Sequence, residues 1–253
     1  MPANDWSRDE LLVSLQLYLR LPFGQLHAQN PAVRDLAQLI GRTPAAVAMR
    51  RTNYASLDQR HLQRGIRGLA HASRGCQQLW NDYLAQPEDI LFESEEVLAR
   101  AEGRSIAEKY PQNDDEHPQG CDARYNLKTR VNQHIFRTLV LANFQSRCVI
   151  TGVNEPSLLV ASHIVPWAAA PAHRLNPANG LPLLTLYDRC FDQGFLSIDA
   201  QGRWLVSAEL PDRVGPAAWE RFFAPVVGLE LPPAAKYAPA PDLLAWHRNH
   251  CFR

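Results

Sequence analysis

A histidine that closes an apolar run, an asparagine sixteen residues later and an aspartate nine residues beyond that are the residues of this 253-residue chain whose types and spacing point to chemistry. His163 ends the run LLVASH, Asn179 stands before Gly180, and Asp188 lies near the start of the amphipathic segment TLYDRCFDQ. Hydrolysis of a phosphodiester needs an in-line nucleophile and a stabiliser for charge on the departing oxygen, and one positioned base with one divalent cation supplies both. Histidine is the side chain whose ordinary pKa lies closest to neutrality, so His163 suits the base. A hard cation such as Mg2+ takes a carboxylate together with waters and substrate phosphate, which suits Asp188. Asn179 is placed to fix the loop, and through it the imidazole, by side-chain to backbone hydrogen bonds. Taken singly, each has a plainer reading: a strand-end histidine is more often a satisfied polar residue, Asn-Gly is foremost a turn signal, and Asp188 can be an exposed helix carboxylate. Their coincidence at this spacing favours the catalytic reading.

Such residues need elements to bring them together. The apolar run Leu158 to Ile164 is short enough for a strand, and Pro166 breaks it. Turn residues crowd 176–180, a short strand LPLL follows, and TLYDRCFDQ forms a helix of two or three turns that Gly194 ends. The order is strand, loop, strand, helix. FLSID and RWLV, joined by Ala200-Gln201-Gly202, read as a hairpin outside that unit. Upstream, a helix beginning near Lys128 carries Val131, Ile135, Leu139 and Ala142 on one face. The proline-rich tail beyond Ser207 ends in a helix from Pro241 to His250 anchored on Leu243, Leu244 and Trp246, with His247, Arg248 and His250 read as helix surface. His173 and Arg174 lie on the long loop, within reach of a scissile phosphate or simply solvated. Trp167 and Trp246 read as core.

The first hundred residues read as helical throughout. Ser7 with Glu10 forms a capping box ahead of Leu11, Leu12, Leu15, Tyr18 and Leu19, which fall on one helical stripe. Asn30-Pro31 and Thr43-Pro44 each start a further helix, with Gly41 as the C-cap between them, and so tight a connection resembles a helix-turn-helix. The second of these carries Arg50, Arg51 and Asn53, side chains suited to phosphates and base edges; Arg42 precedes it, and Arg64 and Arg67 follow on a glycine-punctuated segment. A solvated arginine face on an ordinary bundle is the competing reading. Residues 82–102 are acidic and read as a solvated helical face.

Formal charge is zero, which by itself gives no support to nucleic-acid binding, but the charges are segregated. Residues 42–74 hold seven arginines and one acid, Asp58; residues 82–102 hold seven acids and one arginine, Arg100; residues 124–147 hold five basic residues and no acid. A neutral chain with this pattern can present one basic face. The five cysteines are odd in number, spread out and never paired as CxxC, so free thiols are expected and no structural zinc. With no run of eighteen apolar residues and no basic-then-apolar start, the expectation is a cytoplasmic protein with no membrane partner. The polar stretch EKYPQNDDEHPQGCDARYN suggests a linker over 106–123.

CVITG, LLVASHIVPW and RLNPANGLPLLTLYDRCFDQG together resemble the HNH endonuclease family, in the variant with an A-S-H-I-x-P-W motif, and the resemblance extends back to RVNQHIFRTLVLANFQSRC and forward to LLAWHRNHCFR. It implies a ββα-metal fold, one divalent cation per site (Mg2+ or Mn2+) and a histidine-activated water that cuts double-stranded DNA to leave 5′-phosphate and 3′-hydroxyl ends. His163 then stands at the general base, Asn179 at the middle asparagine and Asp188 at the final metal-ligand position. Two departures matter. Ser162 stands where the family commonly has an acidic or histidine ligand, with Asp192, one helical turn after Asp188, as a possible compensating ligand; the zinc-knuckle cysteines are absent. The N-terminal half is similar to the helical module preceding some HNH restriction enzymes, among them enzymes that cut DNA carrying modified cytosine.

The expectation is therefore an α+β protein: an all-helical, helix-turn-helix-like DNA-recognition domain over 1–105 and an HNH nuclease domain over 124–253. DNA contacts are expected from Arg42, Arg50, Arg51, Asn53, Arg64, Arg67 and Arg174, and a homodimer from the need to cut two strands with one site per chain. A DNA-binding regulator with an inactive HNH-like half and a homing-type nuclease are the rival readings.

Overall fold

The computed structural model describes residues 5–59, 72–111 and 123–253. By internal packing the chain divides into two compact units, Met1–Ile135 and Phe136–Arg253. The first is helical, the second mixed, and the protein as a whole is α+β, as its sequence pattern predicts. Much of the linker expected over 106–123 lies outside the described residues.

The first unit contains α1 (Arg8–Arg20), α2 (Pro31–Leu39), α3 (Pro44–Leu57), α4 (Arg74–Ala85), α5 (Pro87–Ala101), the single turn α6 (Ile106–Lys109) and the beginning of α7 (Ala123–Asn143). The start signals act as read: Ser7 Oγ accepts from Glu10 N while Glu10 returns a bond to Ser7 N, Asn30 accepts from Ala32 N, and Thr43 accepts from Ala46 N. The single stripe expected on α1 is too narrow. Leu11–Leu15 and Leu17–Leu19 are all buried, because α3, α4 and α5 pack around this helix, and it is the central rod of the unit. Tyr18, Tyr54 and Trp80 form an aromatic cluster on it, with ring centroids 5.9 to 6.3 Å apart, and the two hydroxyls donate to Asp58 and to the Leu11 carbonyl.

Acids that read as a solvated face are the partners of arginines on other helices. Arg8 donates to Glu93 and Asp82, Arg100 to Asp9, and buried Glu95 pairs with Lys109 at 3.0 Å. These partners lie outside the arginine block 42–74, whose one ion pair among the described residues is Arg42 with Glu10.

The second unit takes residues 136–143 of α7 and everything after them. β1 (Leu159–His163) and β2 (Gly180–Leu184) pair antiparallel with His163 opposite Gly180 and Ser162 opposite Leu181. α8 (Thr185–Asp192) leaves β2 with no intervening residue. This is the expected strand, loop, strand, helix. The hairpin β3 (Leu196–Ile198) and β4 (Trp204–Val206), the short helix α9 (Leu210–Val214), a run of helical turns over 216–226 and α10 (Pro241–His250) complete it. The core runs through Leu159, Leu181, Leu183, Phe191, Ile198 and Trp204. The tail is pinned to the end of α7 by Asn143, whose amide donates to Tyr237 O and whose oxygen accepts from Lys236 N and Tyr237 N.

His247 departs from its sequence reading. It lies in the core at 2% exposure, stacked on Phe191 (3.8 Å, 9°) and bonded to Ser197 Oγ at 2.9 Å and Phe191 O at 3.3 Å. α10 lays this face against β3 and α8, so the histidine fills a core position although its type suggests surface. Arg248 is likewise engaged, donating to Ile198 O at 2.7 Å. Among the described residues no helix is long and apolar enough to cross a membrane.

Candidate active site

Alternation along β1 decides which side of the hairpin each residue serves. His163 is packed against α7 and Ser162 lies on the opposite side, near α8.

On the histidine side the imidazole is held at three points. Its face stacks on Phe136 (3.7 Å, 10°), its edge meets Trp167 (5.5 Å, 90°), and Nε2 lies 3.1 Å from the carbonyl of Arg174. A carbonyl oxygen only accepts, so Nε2 carries the proton and Nδ1 keeps its lone pair. Burial lowers the His163 pKa, opposed by the Arg174 carbonyl, which favours the neutral ring at physiological pH.

The Asn179-Gly180 pair closes a turn, as its sequence suggests, ending the 3-10 helix Pro177–Asn179, and it has a second use. Gly180 opens β2 in extended conformation (φ −136°, ψ 145°), and its lack of a side chain serves close packing: a Cβ there would lie 2.7 Å from Phe136 Cζ and still closer to Val140. Asn179 is 1% exposed, so it acts on the chain rather than on a ligand. Its oxygen accepts from Val165 N at 2.8 Å, and its amide donates to Val165 O at 3.1 Å and His173 O at 3.3 Å, tying the segment after His163 to the long loop. Arg174, whose carbonyl meets the imidazole, is the next residue after His173 on that loop.

On the other side, Ser162 is 3% exposed and its hydroxyl has no hydrogen-bond partner among the described residues. It lies near enough to Asp188 to favour the carboxylate, yet short of a bond of normal geometry. Burial raises the Asp188 pKa against that hydroxyl and Arg189, and Asp192 is raised by burial and then by the charge of Asp188. An orphaned hydroxyl beside a desolvated carboxylate is a donor set for one hard cation. Among the described residues no group of three or more His, Cys, Asp or Glu side chains converges on a point, so waters and phosphate oxygens would complete the coordination. The C-terminal segment closes against this helix: Gly194 (φ +74°) has no room for a side chain beside the Cys251 carbonyl, and Arg253 N donates to Gly194 O at 3.0 Å.

The expected DNA contacts fare unevenly. Arg174 sits beside the site, its guanidinium over the Trp167 ring at 5.1 Å and bonded to Trp167 O. Arg42 is held by Glu10, and Arg42 and Arg50 both lie over the Trp6 ring, at 5.3 and 4.7 Å. Arg50 also donates to Ser73. Arg51 is 0% exposed and Asn53 8% exposed, so these two face the interior of the helical unit and present nothing to a duplex in this conformation. Arg64 and Arg67 lie outside the described residues. Phe136 and the Arg174 carbonyl were not anticipated as part of the site; a phenylalanine in a helical stripe and a main-chain oxygen carry no sequence signal for it.

Among curated proteins, none matches the chain. Residues 148–199 match the HNH endonuclease family, a span holding β1, the long loop, β2, α8 and β3. His163, Asn179 and Asp188 all lie within this matched span, so the strand, loop, strand and helix that carry them are similar to an HNH endonuclease domain.

Proposed function

We propose that the protein is a metal-dependent endonuclease that hydrolyses phosphodiester bonds of double-stranded DNA, with His163 as general base. The observation that carries this is the His163 bond to the Arg174 carbonyl, which leaves Nδ1 unprotonated on a ring that burial keeps neutral. In the reaction a water O–H bond breaks, the proton passes to Nδ1, and the oxygen attacks phosphorus as the P–O3′ bond opens. Asn179 keeps the loop and strand end in register, and Arg174, held over Trp167 beside the site, would turn to the phosphate of a bound duplex. Asp188 and Ser162 would hold a divalent cation, Mg2+ or Mn2+, with Asp192 as a further carboxylate one turn on. When bound, such an ion neutralises charge on the phosphate and the leaving oxygen.

The physiological role we assign is restriction by a homodimer in the cytoplasm, with residues 1–105 supplying recognition and modified cytosine, 5-methyl or 5-hydroxymethyl, as the mark. The likeness of the N-terminal helices to modules preceding HNH restriction enzymes supports it. Matched plasmids carrying plain, methylated and hydroxymethylated cytosine, incubated with Mg2+ or Mn2+, test it: cleavage should depend on the mark, and His163→Ala should abolish cutting while preserving the fold. Cleavage indifferent to the mark removes the restriction reading; tight metal-independent binding without cleavage on any DNA favours a regulator.

A further inference from the structure

We infer that Phe136 is a positioning residue for His163, and that residue 180 is glycine in order to admit it. Three observations converge. The Phe136 ring lies parallel to the imidazole at 3.7 Å and 10°, a contact along the whole ring face. Phe136 is 2% exposed and comes from α7, twenty-three residues before β1 begins at Leu159, so it is no part of the hairpin it serves. Gly180 lies directly opposite His163 in the strand register, and a Cβ there would stand 2.7 Å from Phe136 Cζ, closer than real Cβ contacts come.

The stack removes a freedom that the hydrogen bond leaves. A single bond from Nε2 to the Arg174 carbonyl fixes one atom of the ring but permits the plane to swing about that contact. Phe136 on the face and the Trp167 edge fix the plane. With face, edge and Nε2 occupied, Nδ1 has one orientation, and the tautomer stays single because the ring cannot turn to offer Nδ1 to the carbonyl. A base misaligned by about 1 Å costs on the order of a hundredfold in rate, so this orientation is worth a dedicated residue.

The inference rests on the reading of His163 as the base, and the test separates the two. Phe136→Met keeps volume and apolarity but has no planar face; Gly180→Ala presses on the same ring, and on Val140, from the strand beside His163; Val140→Ala loosens the packing at Gly180 and leaves the Phe136 ring in place. In the full-length protein, nitrogen-resolved NMR of the imidazoles, assigned by loss of the His163→Gln signal, reports tautomer and ring-current shift. Wild type should show a single Nε2–H tautomer with ring protons shifted by the Phe136 ring. Both Phe136→Met and Gly180→Ala should lose that shift and mix tautomers. Their single-turnover cleavage with Mn2+ should fall roughly 10- to 100-fold while DNA affinity in EDTA holds within about twofold. Val140→Ala should leave the His163 spectrum unchanged. An unaltered tautomer and rate in folded Phe136→Met overturns the inference, as does an equal spectral change in Val140→Ala, which would make the effect general packing. If Phe136→Met does not fold, Gly180→Ala decides by the same readouts. If no protein cuts any DNA while the spectra change as expected, the nuclease reading falls and the positioning role stands.

Discussion

Arg174 acts on His163 through its main chain: the residue's carbonyl accepts a hydrogen bond from Nε2 at 3.1 Å, while its guanidinium lies over Trp167. Replacing the side chain should therefore spare the base. Arg174→Ala is expected to keep the single His163 tautomer and lose about threefold to tenfold in kcat/KM, with a shallower salt dependence of DNA binding by about one phosphate contact. A change of tautomer in this variant would contradict the separation of the two roles.

Asp188 holds a charge that burial disfavours and that nothing but a neighbouring hydroxyl and Arg189 supports. Asp188→Asn should be at least as heat-stable as wild type in EDTA and yet cleave about a hundredfold more slowly or worse. In the opposite direction, Ser162→Asp should tighten Mn2+ binding measured by calorimetry, because it adds a second carboxylate to the donor set. Parallel loss of stability and activity in Asp188→Asn would point to a structural carboxylate.

His247 predicts a pH dependence of stability. Burial lowers its pKa from 6.5 to about 4, so the unfolded chain binds the extra proton in that window and the folded one does not. The stability held above pH 6.5 should thus decline as pH falls toward 4, by at most about 3 kcal/mol from this group. Thermal melts between pH 7 and 4 should fall more steeply for wild type than for His247→Gln, whose side chain never charges; identical slopes would exclude His247 as the source.

Arg51 is buried, none of its three guanidinium nitrogens has a hydrogen-bond partner among the described residues, and burial lowers its pKa to about 10. Removing such a charge stabilises a fold, so Arg51→Met should raise the unfolding free energy by about 1–2 kcal/mol. The same variant tests the DNA-recognition reading of this helix: unchanged DNA affinity means that the side chain stays inside, whereas a stable variant with lost affinity means that it reaches DNA after rearrangement.

Gly194→Ala places a Cβ against the Cys251 carbonyl at positive φ. Destabilisation of about 2–3 kcal/mol is expected, with faster amide exchange over the last residues of the chain. An unchanged melting temperature would mean that the C-terminal segment yields at no cost.

What the sequence made legible follows from the range of each interaction. Helix starts at Ser7, Asn30 and Thr43 and the ββα order are local signals, written within a few residues, and they hold. The pairing of Ser162 with Asp188 was foreshadowed by family resemblance rather than by any pattern in the residues. Arginine type says nothing of direction, so Arg51 read as surface and lies inside. Asn179-Gly180 does end a turn, but the dipeptide carries no sign that the glycine also makes room for Phe136 and Val140, forty-four and forty residues upstream. Contacts of that span leave no periodicity to detect.

The junction of β2 and α8 has a mechanical consequence. No residue separates Leu184 from Thr185, so the strand that begins beside Asn179 and the helix that carries Asp188 meet at a corner without slack. Asn179 and Asp188 thus sit at the two ends of one rigid corner, and a push on the strand end reaches the helix with no linker residue to absorb it.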